Sequence, residues 1–184
     1  MFDQERFVYV SVHVDANRVN ARTALPNMNQ LEKWRDDEVI LMQMSRTAQE
    51  EAAAGGSTAR SRKAHSYIFT LTGNLIDDER RQVSEIERVL FPNGASARNE
   101  RNDVDVVFNA GKYGAILVTA DGASRRQPGG ILGNRAKLAA LGFEVMTDDE
   151  AVAHIRRKIH ERDERAVERA RRDGKPVPAW VGKD

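Results

Sequence analysis

Carboxylates in this chain stand where apolar runs end or helices begin. Asp15 closes the run FVYVSVHV at residues 7–14. Glu50 and Glu51 come early in the helix that follows a second apolar run. Asp103 opens a helix, and Asp121 lies two residues past Thr119 at the end of a later run. Four such sites cannot crowd together in ionised form unless cations offset the repulsion. Oxygen-only ligands favour a hard divalent ion, Mg²⁺ or Mn²⁺. Such ions activate water and stabilise the attacking and leaving oxygens of phosphodiester hydrolysis. Taken singly, each acid is equally an ordinary turn or cap residue. The chemistry rests on their joint placement.

The elements that must position them follow from periodicity. Residues 7–14 are β-branched and aromatic, as in a strand buried on both faces. Met28, Leu31 and Trp34 mark a short amphipathic helix, and Val39 to Met44 a second strand. Ser45 or Thr47 caps the next helix, which Gly55-Gly56 ends. The basic segment GGSTARSRKAH reads as a loop, Tyr67 to Leu71 as a strand, and Ile76 to Phe91 as a helix. Asn102 or Asp103 caps a helix with Val104, Val107, Phe108 and Gly111 on its inner face. Gly114 then turns the chain into the strand Ala115–Thr119. A loop containing QPGG, a helix from Ile131 to Leu141 and a last strand from Phe143 to Thr147 follow. Asp148, Asp149 and Glu150 start a final helix whose buried stripe is Ala151, Ile155 and Ile159, with a charged extension beyond His160.

Alternating strands and helices predict an α/β fold, a three-layer α/β/α sandwich around a central, mostly parallel sheet. Ligands in such sheets bind outside the carboxyl ends of the strands, which is where the acids fall. The 184 residues suit one domain at 1–160, with 161–184 as a charged helical extension and tail. A net charge of +1 leaves a nucleic-acid surface only as a local patch, and the absence of cysteine excludes disulfides and thiolate chemistry. No apolar run approaches the roughly 20 residues that span a bilayer, and the N-terminus lacks a basic signal-like region. A cytoplasmic protein without membrane contact is expected.

The run VHVDAN and the run DVDVVFNAGKYGAILVTAD carry a family resemblance. The chain resembles the PIN domain family of metal-dependent nucleases, which includes the toxins of many bacterial toxin–antitoxin pairs. The first run looks like the family's opening strand with its first catalytic Asp. In the second, an Asp opens a helix and the next strand ends in Thr-x-Asp. The closing GFEVMTDDEAVAHI is similar to the usual last strand and helix, whereas residues 55–95 match no part of a minimal member. The resemblance implies that Asp15, Asp103 and Asp121 bind metal together with a fourth acid. Thr47, three residues before Glu50, suits the family's Thr-x-x-Glu and favours Glu50; the spacing from Ser45 allows Glu51 instead. Asn17 and Thr119 look like supporting polar residues. Asp105 points about 200° from Asp103 on an ideal helix, so both cannot face the site.

The activity implied is endoribonuclease cleavage by a metal-activated water, without a covalent intermediate. Phosphate contacts would come from Arg60, Arg62 and Lys63 in the glycine-rich segment and from Arg125 and Arg126 past Asp121. Toxin-type relatives pair with an antitoxin and often form homodimers, so both partners are admitted. The alternative is a PIN-like domain without turnover that holds RNA or protein. Other enzymes on this sheet are disfavoured. The first strand is followed by Asp15-Ala16-Asn17 rather than Asp-x-Asp, Asp121 has no lysine in the receiver position, and no Gly-x-Gly-x-x-Gly follows the first strand.

Overall fold

The computed structural model describes residues 5–124 and 127–184. Five strands form one sheet: β1 Ser11–Val14, β2 Leu41–Ser45, β3 Ile68–Thr70, β4 Ile116–Val118 and β5 Val145–Met146. Their spatial order is β3-β2-β1-β4-β5, and every pair is parallel. The expected α/β sandwich is therefore present. The chain builds outward from β1 through β2 to β3, then crosses back to place β4 on the other side of β1. Ligand crevices of doubly wound sheets lie at such a reversal, here between the carboxyl ends of β1 and β4.

One helical layer pairs α1 (Pro26–Asp36) with α8 (Asp148–Asp173). The other holds α2 (Arg46–Ala54), α3 (Thr58–Ala64), α4 (Asp77–Leu90) and α5 (Arg98–Lys112), with short α6 (Gly130–Gly133) and α7 (Arg135–Ala140) beside β5. The core sits on both sheet faces. Val12 and Val14 of β1 and Met42 and Met44 of β2 are fully enclosed, and Met28, Leu31 and Trp34 of α1 and Ile86, Leu90, Val107 and Phe108 of α4 and α5 are buried in the same core. Gly111 lies against the Phe143 ring, where an added Cβ would come within 2.2 Å, so helix and β5 approach through that glycine.

Several expectations are corrected. Residues 58–64 form a helix rather than a loop, because Ser57 caps it by accepting the Arg60 N–H at 3.3 Å and Ala64 is buried beneath it. Ser45, not Thr47, caps α2, accepting the Ala48 N–H at 3.1 Å. α5 begins at Arg98, not at Asp103: the Glu100 carboxylate takes the N–H groups of Ser96 (2.7 Å) and Ala97 (2.9 Å) and starts the helix earlier. The helix expected over Ile131–Leu141 is two short ones meeting at Asn134. α8 runs unbroken past His160 to Asp173, ending at Gly174 in the left-handed conformation. Arg162 and Ala170 are buried, so the charged extension packs on the body of the domain. Arg162 pairs with Asp163 (2.6 Å) and Asp184 (2.8 Å), which holds the last residues against α8. Among the described residues no helix is long and apolar enough to cross a membrane.

Candidate functional site

Asp15 leaves β1 at the sheet's carboxyl edge and is buried there. Its N–H donates to the Val118 carbonyl of β4 at 3.1 Å, so the neighbouring strand sets where it stands. Thr119, the next residue of that strand, donates its hydroxyl to Asp15 Oδ2 at 2.5 Å. The Asn17 amide donates to the same carboxylate oxygen at 2.7 Å and to Thr119 Oγ1 at 3.1 Å, and Asn17 Oδ1 accepts the Ala120 N–H at 3.0 Å. The supporting roles expected of Asn17 and Thr119 therefore have concrete partners.

Asp121 is fixed from both sides of the β4 exit. Its N–H donates to Thr119 Oγ1 at 2.9 Å, and its Oδ2 accepts the Ile131 N–H at 2.7 Å. The turn at Gln127–Gly130 presents that N–H. Gly130 has φ +61°, and a Cβ there would lie 2.1 Å from the Gly122 oxygen and 2.9 Å from Asp121 Oδ2. Only glycine lets this turn sit so close to the acid.

Asp103 is brought to the edge by α5, whose rotation is set by a buried polar chain. His13 Nε2 and Thr70 Oγ1 lie 2.9 Å apart, Thr70 donates to Asn109, and the Asn109 amide donates to Thr72 Oγ1 at 2.9 Å. Thr72 and Thr47 then donate to Asp105, at 2.5 and 2.6 Å. Burial holds the His13 imidazole down to about 4, so this chain contains a neutral histidine. With Asp105 tied to the helix's other side, Asp103 faces Asp15 and Asp121, as the helical angle requires.

The fourth acid is Glu51. Its carboxylate accepts the Asn102 amide at 2.6 Å, and its charge acts on both Asp15 and Asp103. Glu50, expected in this role, points to solvent on the adjoining face of α2 and pairs with Arg46 (3.0 Å) and with Arg98 at 3.9 Å. Capping at Ser45 fixes the phase of α2, and successive residues of a helix differ by about 100°. Thr47, the residue that favoured Glu50, is spent on Asp105.

The electrostatics are those of an uncompensated acidic cluster. Burial, then the charges of Asp121, Asp15, Glu51 and Glu100, push the Asp103 carboxyl up to about 8. Burial raises Asp15 to about 6, the Thr119 hydrogen bond opposes it, and Glu51 and Asp121 add to the rise. Asp121 is also raised by burial, against the Ile131 N–H that stabilises its ionised form. Asn102, expected only as a cap, instead orients Glu51, and Glu100, one helical turn before Asp103, carries no signal in the sequence that marks it for the site. The donor set is all oxygen, the ligand chemistry of a hard divalent cation. Among the described residues no group of three or more His, Asp or Glu side chains is placed to hold a metal ion.

The expected phosphate contacts are only partly at the site. Arg60 donates to the Ala16 carbonyl at 2.6 Å and so braces the turn after Asp15. Lys63 pairs with Glu32 at 2.7 Å, beneath α3 and away from the acids. Arg62 is exposed. Arg125 and Arg126 lie outside the described residues. No protein-family model matches the sequence, and a search of curated proteins finds no match.

Proposed function

We propose that this protein is a divalent-metal-dependent endoribonuclease, with Asp15, Glu51, Asp103 and Asp121 holding Mg²⁺ or Mn²⁺. The observation that carries this reading is the convergence of those four acids at the β1–β4 reversal, with Asp103 and Asp15 held above the usual carboxylate range by burial and by their neighbours' charge. A structural turn or cap does not need such a cluster, whereas a divalent cation offsets its mutual repulsion. The resemblance to PIN domains in the VHVDAN and Thr-x-Asp runs points the same way. When bound, the metal lowers the pKa of a water for attack on a phosphodiester and screens the charge that develops on the phosphate. The chain's own part is positional. Thr119 and Asn17 donate to Asp15 and fix its orientation, Ile131 orients Asp121, and Asn102 orients Glu51. Arg98, exposed at the start of α5 beside Glu50, Glu51 and Asn102, is placed to meet an approaching phosphate.

The test is cleavage of single-stranded RNA by pure protein with Mn²⁺, with Mg²⁺ and with EDTA. Asp15→Asn and Asp121→Asn should abolish metal-dependent cleavage while leaving the circular dichroism spectrum intact. That no three of the described acids are placed to hold an ion favours one rival, a PIN-like module that binds without turnover. Cleavage that survives both substitutions overturns the assignment of these acids, and cleavage that never appears with any divalent metal decides for that rival.

A further inference from the structure

A second surface lies at the other end of β1. Tyr9 precedes the strand and Asp15 follows it, so about six residues of extended chain, roughly 20 Å, separate them. Tyr9 is 81% exposed and has φ 56°, the left-handed region that a residue with a large side chain rarely adopts. Phe7 meets its ring edge-on, with centroids 5.1 Å apart and planes at 76°. A strained backbone that holds an aromatic ring out into water is a cost the fold's interior does not require.

The ring borders a cavity of about 290 Å³ whose other wall is α8 and Trp180. Arg162 forms its floor. It is pinned by Asp163 and Asp184, and its guanidinium lies 4.6 Å from the Trp180 ring centroid. Arg165 is exposed, with no hydrogen bond or ion pair among the described residues. Arg169 makes one exposed pair, with Glu5 at 2.9 Å, which a phosphate could readily replace. From Arg156 to Lys175 the chain carries nine lysines and arginines against five acids, a surplus of four positive charges in a protein of net +1. Positive potential is thus gathered at this end and negative potential at the acid cluster.

We propose that this aromatic and arginine-rich face is a second binding site, for a single-stranded polynucleotide. The Tyr9 ring stacks on a base while Arg165 and Arg169 meet successive phosphates. Open aromatic rings beside unpaired arginines are how single strands are held without sequence readout. An acidic peptide would match the arginines but leave the exposed ring without a planar partner. The site is separate from the acid cluster and does not depend on its activity.

The test is fluorescence anisotropy of a labelled oligouridine in EDTA, where no metal-dependent cleavage occurs. Tyr9→Gly removes the ring and accepts the positive φ, so folding is not at stake; affinity should fall about tenfold, within the range of one lost stacking contact. Arg165→Gln should weaken binding and reduce the salt slope by about 0.7, the loss of one single-strand phosphate contact. Unchanged affinity in both variants, or no binding by the wild type, overturns the proposal. So does polyglutamate competing as well as RNA, which would mark the face as a site for an acidic protein. RNA cleavage is measured separately. Its absence with binding intact would sink the nuclease reading alone, and wild-type cleavage without wild-type binding, or with binding unchanged in both variants, would sink this inference alone.

Discussion

Thr119 donates its hydroxyl to Asp15 at 2.5 Å, joining residues 104 positions apart across the β1–β4 pair. The same oxygen accepts from the Asp121 N–H and from the Asn17 amide. One buried hydroxyl therefore sets the relation between two of the four acids. Thr119→Val keeps the shape and deletes the oxygen. It should destabilise the fold by about 1–3 kcal/mol, because buried polar partners are left unmatched. It should also move the Asp15 carboxyl higher still, since the lost bond favours the ionised form. Urea denaturation and carboxyl NMR titration check both effects, and Thr119→Ser should restore them in part.

The two adjacent glutamates separate cleanly. Glu51→Gln removes a charge that acts on Asp15 and Asp103, and should reduce metal-dependent cleavage by at least about 100-fold if the carboxylate helps hold the ion. Glu50→Gln removes only exposed pairs with Arg46 and Arg98, and should shift stability by less than about 0.5 kcal/mol. Equal losses of cleavage in the two variants would contradict the assignment of Glu51.

Stability should depend on pH in an unusual direction. Asp103 is raised from 3.8 to about 8 and Asp15 from 3.8 to about 6 in the folded chain. Between pH 4 and pH 8 the folded state then holds more protons than the unfolded state, so raising the pH through this window costs stability. In EDTA the protein should lose about 1–2 kcal/mol between pH 5 and pH 8, the shift being discounted for partial exposure. Asp103→Asn should flatten the profile, and Mn²⁺ at pH 8 should return the loss. A metal-free melting temperature that does not change between pH 5 and pH 8 would refute the raised carboxyls.

Glycines 114 and 130 share a positive φ but not a neighbourhood. A Cβ on Gly114 meets open space, so Gly114→Ala should cost only the strained backbone, about 1 kcal/mol. A Cβ on Gly130 meets the Gly122 carbonyl and the Asp121 carboxylate. Gly130→Ala should cost about 2–3 kcal/mol more and displace Asp121. Differential scanning calorimetry of the pair measures the difference.

Much of this was legible in the sequence because strand ends and apolar runs are local signals. Asp15, Thr119 and Asp121 could be placed from β1 and β4 alone; the helical angle showed that Asp103 and Asp105 cannot both face the site, and the spacing to Thr119 and Asp121 favoured Asp103. What stayed hidden depended on phase and on distant partners. The choice between Glu50 and Glu51 turns on which residue caps α2, and Ser45 and Thr47 are equally good caps until Thr47 is seen to serve Asp105 from another element. Residues 58–64 carry threonine, serine and charge directly after Gly55-Gly56, which favour a loop locally. The Ser57 cap and the burial of Ala64 against the core make them a helix. The Ile131 N–H on Asp121 is a backbone group, and no residue type announces it.

The Ile131 contact also sets an order in time. During synthesis the chain emerges with Asp15 first, yet that carboxylate has no Thr119 to meet until β4 has been made and has paired with β1. Asp121 gains its last partner only when Ile131 has followed. A nascent chain that ends between Asp121 and Ile131 therefore carries all four acids without carrying the finished site. Long-range strand pairing is slow compared with local helix formation, so the cluster is among the last features to be completed. On the ribosome, the chemistry of the acid cluster would be withheld by incompleteness, with no inhibitor needed to silence it.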